Sequence, residues 1–243
     1  MMEFSTQTLF RDDSYLRTAE AEVVAVNERG GIILDRTIFY ATSGGQPGDT
    51  GHFERADGSR IDIAATVTGQ TKDEIIHVPA PDQPVVEPGE TLKLAIDWPR
   101  RHLLMRMHTA CHLLTVVCPY PITGAAVSTD DSRVDFDIPD AGFTKEEATE
   151  RLMELVRADH QVFIRQISEE ELAANPGLVK SKNVRPPQGT GRIGDEGAVD
   201  SQPCGGTHVA GTGEIGEIHI GKIEKKGREN RRFRLRFGPL PAA

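Results

Sequence analysis

A chain of 243 residues can bury one substantial hydrophobic core, or two smaller ones, without disulfide bonds, and two domains are the better expectation. The net charge of −9 argues against binding of bulk DNA, and three cysteines are too few, and odd in number, for a secreted disulfide framework. The sequence has neither a secretory signal nor an apolar run of about 18 residues, so we expect a soluble, cytoplasmic protein with no membrane partner.

The first 97 residues predict β structure, because short, partly alternating runs rich in valine and isoleucine are separated by glycine, proline and aspartate. Asp57-Gly58 is a hairpin signal between two of these runs. Several short strands at this spacing favour a small closed barrel or sandwich that ends near Asp97. The predicted strands are 20–26, 31–40, 59–67, 74–78 and 91–97.

The ten residues TSGGQPGDTG, at positions 42–51, hold four glycines. Gly44 and Gly45 permit a positive φ and Pro47 fixes one backbone torsion, so the stretch predicts a turn between strands. It lacks the lysine of a nucleotide phosphate loop. Composition leaves open whether Gln46, at its centre, meets a substrate.

After Asp97 the pattern becomes helical. Apolar residues recur with a helical period over 98–117, with proline in the first turn and again beyond the end. A capping box formed by Thr144 and Glu147 predicts a second helix over 143–160. Both helices have the apolar face that packing against a core requires.

The rest of the chain mixes strands with one short helix. We predict a strand over 161–167, a short helix that begins after Ser168 and stops at Pro176, and a hairpin over 213–237 that turns near Gly227. The expected fold class is therefore α+β. The predicted domains are 1–97, a small β-barrel carrying the glycine-rich loop, and 98–243, an α/β domain with helices and an antiparallel sheet.

The sequence contains two pairs of metal-ligand residues, and the two residues of each pair are four positions apart. His108 and His112 share one face of the first helix, while Cys204 and His208 lie in PCGGTH, where proline and glycine predict a turn. Three imidazoles and one thiolate complete a tetrahedral zinc set and disfavour magnesium and calcium. We therefore predict one Zn²⁺ per chain, bridging helix and loop. Cys111, between the two histidines, is an alternate ligand.

The role of this zinc is open from the residues alone. Each pair alone is weak evidence, because a buried histidine or cysteine is more often a packing residue. Four protein ligands are usual for a structural zinc, whereas hydrolytic sites keep a position for water. The glutamate of the HExxH protease motif is also missing, because Thr109 follows His108.

Basic residues are concentrated in the C-terminal hairpin. Positions 222–236 hold eight basic and two acidic side chains, a net charge of +6, so the remainder of the chain carries −15. Such a stretch suits one oriented nucleic-acid partner, but lysine and arginine also protect the edge strands of sheets. Charge alone leaves both interpretations open. The candidates for phosphate contact are Lys222, Lys225, Lys226, Arg228, Arg231 and Arg232.

Three segments together, FYATSGGQPGDTG (39–51), HTACHLL (108–114) and DSQPCGGTHVAGTGEIG (200–216), resemble the editing region of alanyl-tRNA synthetases. They resemble the freestanding alanyl-tRNA editing proteins of the AlaX type more closely, and the N-terminal β domain is typical of the longer forms. The resemblance implies a zinc-dependent hydrolase that acts in trans on the acceptor end of mischarged tRNA(Ala). Ser-tRNA(Ala) is the chief expected substrate, with Gly-tRNA(Ala) as a second.

The resemblance also implies which residues do the chemistry. By its position in the family pattern, Thr129 is the leading candidate for recognising the serine hydroxyl, ahead of Thr109 and Ser128; the alternative is that these are ordinary turn or helix hydroxyls. The residues that match the family's zinc ligands are His108, His112, Cys204 and His208. The catalytic candidates are His108, His112, Gln46 and Thr129.

The glycine-rich loop matches the family with one departure beside it. Gly44, Gly45 and Gln46 are expected to contact the tRNA, with Gln46 meeting its end or shaping the zinc pocket. Ala41 stands where relatives commonly have proline, and Gly211 stands where they commonly have asparagine or arginine. These departures bear on loop stiffness and a tRNA contact, and leave the zinc ligands unaffected.

Other functions stay open. The chain could be a zinc-stabilised RNA-binding module without catalysis, or could edit a threonine-specific tRNA, and either a monomer or a homodimer is compatible with the sequence. Nucleotide and ATP binding are implied only at the level of the family. The GxGxxG pattern at 211–216 does not support them, because strand-like residues follow where a dinucleotide site needs a helix.

Overall fold

The structure is a computed structural model that describes residues 5–138, 142, 144–165, 167–182, 190–193 and 199–241. The chain divides into two compact units, Met1–His102 and Leu103–Ala243. A closed antiparallel barrel, further antiparallel sheets and a few helices make it an α+β protein, which confirms the predicted fold class. Within the described ranges, no helix is both long enough and apolar enough to cross a membrane.

The first unit is built around a six-stranded barrel. The strands of this unit are β1 (Gln7–Thr8), β2 (Thr18–Val26), β3 (Ile32–Leu34), β4 (Arg36–Thr37), β5 (Gly51–Glu54), β6 (Arg60–Thr68), β7 (Ile75–Pro79) and β8 (Thr91–Ile96). The barrel closes in the order β2-β3-β7-β6-β5-β8 with antiparallel pairing throughout. Strands β1 and β4 form a separate parallel pair.

The barrel core follows from the two-residue period of its strands. In β8, Leu92 and Leu94 point inwards and are fully buried, while the residues between them face solvent. Phe39 and Phe53 pack edge to face in the same core, with ring centroids 5.4 Å apart. Burial of each such side chain stabilises the fold by about 1.5–3 kcal/mol.

One histidine is enclosed in this core. His77 is fully buried, its Nδ1 donates to the carbonyl oxygen of Ile32 at 3.0 Å, and its Nε2 lies 2.8 Å from Oγ1 of Thr37. Both ring nitrogens therefore have partners when the ring is neutral. Burial lowers the pKa of His77 from 6.5 to about 4.

Four of the predicted N-terminal strands are confirmed, and the prediction of one strand over 31–40 is wrong. That range holds two short strands, β3 and β4, which are separated at Asp35. Strand β5 was not predicted, because four residues are too few to show alternation. The predicted hairpin at Asp57-Gly58 joins β5 to β6, with Gly58 at φ 81°.

The glycine-rich stretch is a tight turn, as predicted. The N–H groups of Ser43 and Gln46 each donate to the other residue's carbonyl, at 3.1 and 2.9 Å. Gly44 and Gly45 lie between them at φ 56° and 83°, and two successive positive φ angles are what a type I′ turn requires.

A buried ion pair anchors the stem of this turn. Asp49 accepts from the N–H of Tyr40 at 2.6 Å and from Nε of Arg101 at 2.9 Å. Arg101 is fully buried and also donates to the carbonyl oxygens of Ser14 at 3.0 Å and Ile38 at 2.7 Å. The charge of Arg101 is thus neutralised and its remaining donors are satisfied, as a buried guanidinium requires.

The second unit combines helices with two antiparallel sheets. Its elements, with the helix that begins in the first unit, are α1 (Trp98–Val117), β9 (Ile122–Ala126), β10 (Asp131–Asp137), α2 (Lys145–Arg157), β11 (Val162–Arg165), α3 (Glu169–Ala174), β12 (Thr190–Ile193), β13 (Asp200–Pro203), β14 (Ile218–Gly227) and β15 (Asn230–Phe237). One sheet has the order β14-β15-β10-β9 and the other β11-β12-β13. Helix α2 packs on β14.

The helices begin where their capping signals predict. Helix α1 has the predicted bounds, and α2 opens with a complete capping box, since Thr144 Oγ1 accepts from Glu147 N–H and the Glu147 carboxylate accepts from Thr144 N–H. Ser168 caps α3 with one such bond, since its hydroxyl accepts from the N–H of Glu171 at 3.1 Å. Two positions of the predicted elements, Phe143 and Gln166, lie outside the described residues.

The C-terminal hairpin is confirmed as β14 and β15, but the predicted span begins too early. Residues Thr212–Ile215 form a 3-10 helix instead of a strand. The N–H of Gly213 donates to Oδ1 of Asp159 at 2.8 Å, and a Cβ at Gly213 or at Gly211 would lie 2.6 or 2.7 Å from that oxygen. Strands β9 and β10 were not predicted.

Candidate metal centre

Helix α1 supplies half of a compact cluster of ligand side chains. His108 and His112 are one turn apart, so their rings leave the same face, with centroids 5.1 Å apart. Both side chains are largely buried. The apolar residues that surround them in the sequence hold this helix face inside the second unit, which places two imidazoles away from bulk water.

The segment after β13 supplies the other half. The Gly205-Gly206 step turns the chain sharply, so that the N–H of Gly206 donates to Sγ of Cys204 at 3.3 Å. The same turn brings Nε2 of His208 to 3.2 Å from that sulfur. A backbone N–H directed at sulfur favours the thiolate, which is the metal-binding form of cysteine.

The four predicted ligands meet in one place. One ligand atom from each of them lies within 4.8 Å of all the others, and Sγ of Cys204 is 3.5 Å from Nε2 of His108. Metal bonds of 2.0–2.3 Å in a tetrahedron would separate the ligand atoms by about 3.3–3.6 Å. The cluster could therefore hold a metal ion with little adjustment. The members of the cluster are His108, His112, Cys204 and His208.

Cys111 is not a member of this group. Among the residues that the structure describes, the ligand atoms come together from the other four side chains only. Cys111 is buried, and burial raises the pKa of its thiol to about 12, so it stays protonated at neutral pH. Its role as an alternate ligand gains no support, and packing explains its position.

The cluster shifts the proton affinities of its members in opposite directions. Burial raises the pKa of Cys204, but the nearby imidazoles, led by His108, outweigh burial and hold that pKa well below the usual thiol value. Burial lowers the pKa of His208 to about 4. Burial also disfavours charge on His112, yet the Cys204 thiolate and Asp200 outweigh it and raise its pKa to about 9. The surroundings of Cys204 therefore favour its thiolate form.

A carboxylate stands behind His112. Oδ2 of Asp200 lies 3.9 Å from Nδ1 of His112, which is an ionic separation beyond hydrogen-bond length. Lys180 and Gln202 each donate to the carboxylate, and both also donate to Oγ1 of Thr115, at 3.0 and 2.9 Å. Acidic groups behind metal-bound histidines orient the ring. We did not predict this network from the sequence; its one signal was the acidic residue four positions before Cys204.

The three candidate hydroxyls for recognition of serine differ in their burial and in their hydrogen-bond partners. Thr109 is fully buried and its Oγ1 lies 3.1 Å from Nδ1 of His208. Ser128 is engaged locally, since its hydroxyl donates to Asp130 at 2.8 Å. Thr129 is partly exposed in the connection between β9 and β10. Of the three, Thr129 is partly exposed and its hydroxyl forms no hydrogen bond with a described residue. Its role in recognising serine stays a prediction.

The glycine-rich turn exposes its tip and buries its end. Gly44 and Gly45 are exposed, whereas the side chain of Gln46 is fully buried in the structure. The glycines are therefore accessible to a partner. The predicted catalytic role of Gln46 remains a prediction, and it requires that the side chain act on the site without being exposed to solvent.

Several basic side chains of the hairpin are engaged in ion pairs. Arg232 forms a bidentate pair with Asp135 at 2.7 and 2.8 Å. Lys226 and Lys222 lie 2.8 and 3.7 Å from the Glu224 carboxylate. The two lysine contacts match the alternative in which basic residues protect an edge, since β14 is an edge strand, whereas Arg232 pairs between the interior strands β15 and β10.

Other basic residues of the hairpin are differently placed. Lys225 and Arg228 are exposed near its tip, and neither forms an ion pair with a described residue. Arg231 donates to the carbonyl oxygens of Gly227 and Asn230, at 3.2 and 3.1 Å. Lys225 and Arg228, the exposed basic residues without an ion pair to a described residue, thus lie near the tip of the hairpin.

Comparison with known proteins gives two family matches and close relatives. The family of class II (A) tRNA synthetases matches residues 6–100, and the second additional domain of threonyl and alanyl tRNA synthetases matches residues 192–234. The AlaX-M alanyl-tRNA editing protein of Methanosarcina mazei is 35% identical over 94% of this chain and 95% of its own length. AlaX-M of Saccharolobus solfataricus is 33% identical, over 93% and 97%. The alanine–tRNA ligase of Pyrobaculum calidifontis is 35% identical over 98% of this chain but 27% of the ligase.

Proposed function

The chain belongs to the family of alanyl-tRNA editing proteins, and we propose that it is a zinc-dependent deacylase that acts in trans on mischarged tRNA(Ala). The substrate would be the ester that joins a wrong amino acid to the terminal ribose of the tRNA, chiefly serine and secondly glycine. The observation that carries this proposal is the convergence of the four ligand side chains in one cluster.

The chemistry of the amino acids explains why such an enzyme is needed. A pocket built for alanine also admits glycine, which is smaller, and rejects serine by only about a hundredfold, because an added hydroxyl costs little in an apolar pocket. A second site that hydrogen-bonds the serine hydroxyl gains binding energy that alanine cannot supply. Hydrolysis at that site removes the wrong amino acid and leaves Ala-tRNA(Ala) intact.

The donor set of the cluster suits zinc. A thiolate and three imidazoles match the ligand preferences of Zn²⁺, whereas magnesium and calcium take oxygen ligands. His108, His112, Cys204 and His208 would hold one ion per chain. A bound zinc ion would supply a Lewis acid beside the ester. The lowered pKa of the Cys204 thiol favours the thiolate, which is the form of cysteine that binds zinc.

The residues that distinguish serine from alanine should present a hydroxyl with an open hydrogen-bonding position. We assign this role to Thr129, because it is partly exposed while Ser128 and Thr109 are engaged in other bonds. Thr129→Val keeps the side-chain shape and removes the hydroxyl, so it should slow serine release. Ser128→Ala is the matched control and should leave it unchanged; the reverse pattern would transfer the role to Ser128.

The tip of the basic hairpin is the proposed contact for tRNA phosphates. Lys225 and Arg228 are exposed and carry no ion pair with a described residue, so they can bind phosphate without breaking an internal contact. Their replacement by glutamine should raise KM and flatten the salt dependence of KM, since each lost phosphate contact removes about 0.7–0.9 from the slope of log affinity against log salt. Arg232→Gln, which breaks the Asp135 pair, is the control.

A deacylation assay tests the proposal. Ser-tRNA(Ala) and Ala-tRNA(Ala) are incubated with the wild type, with His108→Ala, and with His52→Ala, a control histidine on the barrel strand β5. We expect fast release of serine and slow release of alanine by the wild type and the control, and loss of serine release in His108→Ala. Equal rates for the wild type and His108→Ala would overturn the proposal.

One feature favours a different function. Four protein ligands close a tetrahedral site, and closed sites are usually structural, so the chain could be a zinc-stabilised RNA-binding module. That protein would bind zinc and tRNA(Ala) and release no serine in the same assay. Repeating the assay with Ser-tRNA(Thr) would detect editing of the threonine-specific tRNA instead.

A further inference from the structure

One buried hydroxyl joins the helical half of the cluster to the loop half. Thr109 stands between the two histidine ligands of α1 and is fully buried. Its Oγ1 lies 3.1 Å from Nδ1 of His208 and accepts from the N–H of Val209 at 3.3 Å. The same helix therefore supplies two candidate metal ligands and touches a third from behind.

We propose that Thr109 is a positioning residue that fixes the ring of His208 with Nε2 directed into the cluster. This inference rests on the proposed zinc site. Neutral imidazole donates from one nitrogen and accepts at the other, and a metal binds the nitrogen that carries no proton. With Nδ1–H donated to the Thr109 oxygen, the lone pair of Nε2 is left on the side of Cys204, whose Sγ is 3.2 Å away.

The bonding capacity of the hydroxyl supports this orientation. A hydroxyl oxygen has two lone pairs and one O–H, and in the proposed orientation the N–H of Val209 and the Nδ1–H of His208 together occupy both lone pairs. Thr109 consequently has no acceptor position left for a serine hydroxyl, and no exposed surface by which to meet one. The two threonines therefore have different proposed roles: Thr109 acts on a metal ligand and Thr129 acts on the substrate.

The consequence is a contribution to metal affinity. Without the hydroxyl, His208 loses the partner that selects its tautomer, and the adjacent Val209 N–H loses its bond to the helix. Loss of a hydrogen-bond partner behind a metal-bound histidine weakens metal binding by about 10- to 100-fold. The effect should appear in zinc affinity before any substrate is added.

Zinc affinity measured by competition with a chromogenic chelator tests the inference. Thr109→Val removes the hydroxyl and keeps the shape, Thr109→Ser retains the hydroxyl, and Thr149→Val is the matched control. Thr149 is also a helical threonine whose buried hydroxyl accepts a backbone N–H, that of Ile220 at 2.9 Å. We expect a 10- to 100-fold higher Kd in Thr109→Val, with wild-type Kd values in Thr109→Ser and in the control. A wild-type Kd in Thr109→Val would overturn the inference.

A second measurement uses the wild type, so its result does not depend on whether a variant folds. Long-range ¹H–¹⁵N correlation spectra of the wild type identify which ring nitrogen of His208 is protonated. We expect Nδ1 to carry the proton in the zinc-loaded protein, and a zinc-loaded protein with protonated Nε2 would contradict the inference. Deacylation is not involved in either measurement, so a failure here is distinct from a failure of the proposed enzymatic activity.

Discussion

The buried histidine of the barrel makes the stability of the first unit depend on pH. His77 is neutral in the folded barrel, with a pKa lowered to about 4 by burial, while its pKa in the unfolded chain is 6.5. Above pH 6.5 the ring is neutral in both states and its contribution is constant. As the pH falls from 6.5 towards 4, His77 binds a proton in the unfolded state but not in the folded state. The free energy of unfolding therefore decreases.

The size of this loss follows from the two pKa values. One pKa unit corresponds to about 1.4 kcal/mol, so the interval from 6.5 to about 4 corresponds to about 3 kcal/mol. Because His77 is fully buried, solvent screening does not reduce this figure much. A loss of that size is a large fraction of the total stability of an ordinary domain.

Urea unfolding at pH 7 and at pH 4 measures the effect, with Trp98 as the probe. Trp98 is the sole tryptophan of the chain and packs against the barrel core. His77→Gln retains hydrogen-bonding groups and cannot titrate, so the wild type should lose about 3 kcal/mol more than this variant between the two pH values. His52→Gln, on β5, removes a ring that is only partly buried, so it should change the pH dependence much less than His77→Gln does. Equal pH dependence in the wild type and His77→Gln would refute the reasoning.

Three further predictions concern the turn and the cluster. Gln46→Ala should lower the rate of serine release while one zinc per chain remains bound; an unchanged rate would leave the residue a structural role in the turn. Asp49→Ala should destabilise the barrel by about 3–5 kcal/mol in urea unfolding, because Arg101 is left buried without its counter-charge; a loss below about 1 kcal/mol would contradict this. Asp200→Asn should weaken zinc binding by about tenfold in chelator competition, since the carboxylate faces Nδ1 of His112; unchanged affinity would rule out that orienting role.

Helix α1 shows what periodicity alone can predict. Its apolar spacing, the proline in its first turn and the proline beyond its end gave both boundaries correctly, and with them the shared face of His108 and His112. The thiolate and the third imidazole were predicted as ligands from residue type and spacing. Their approach to the helix depends on long-range folding, which no local pattern encodes.

The strands of the second unit show where local patterns fail. β9 reads ITGAA and β10 reads DSRVDFD, so one is poor in large apolar residues and the other carries charges on alternate positions. Their stability comes from neighbours: Val134 and Phe136 are buried in the sheet, and Asp135 pairs with Arg232 on the next strand. The alternation has the period of a half-buried strand, but its uncharged side holds only two large apolar residues, so the hydrophobic signal is weak.

Gly211 illustrates a departure that the structure explains. The family resemblance leads us to expect asparagine or arginine there, but in this chain a Cβ would lie 2.7 Å from Oδ1 of Asp159. Asp159 itself adopts φ 47° at the end of α2, which brings its carboxylate to the N–H of Gly213. The glycine thus compensates for a nearby aspartate, and this pairing of distant positions was invisible in the sequence.

The proposed ester hydrolysis depends on a zinc ion held by the cluster. The most direct test removes zinc from the purified protein with a chelator, returns it in measured amounts, and follows serine release from Ser-tRNA(Ala) at each step. We predict that activity disappears with the metal and returns in proportion to added zinc, reaching its maximum at one ion per chain. Serine release that continues unchanged in the zinc-free protein would contradict the account.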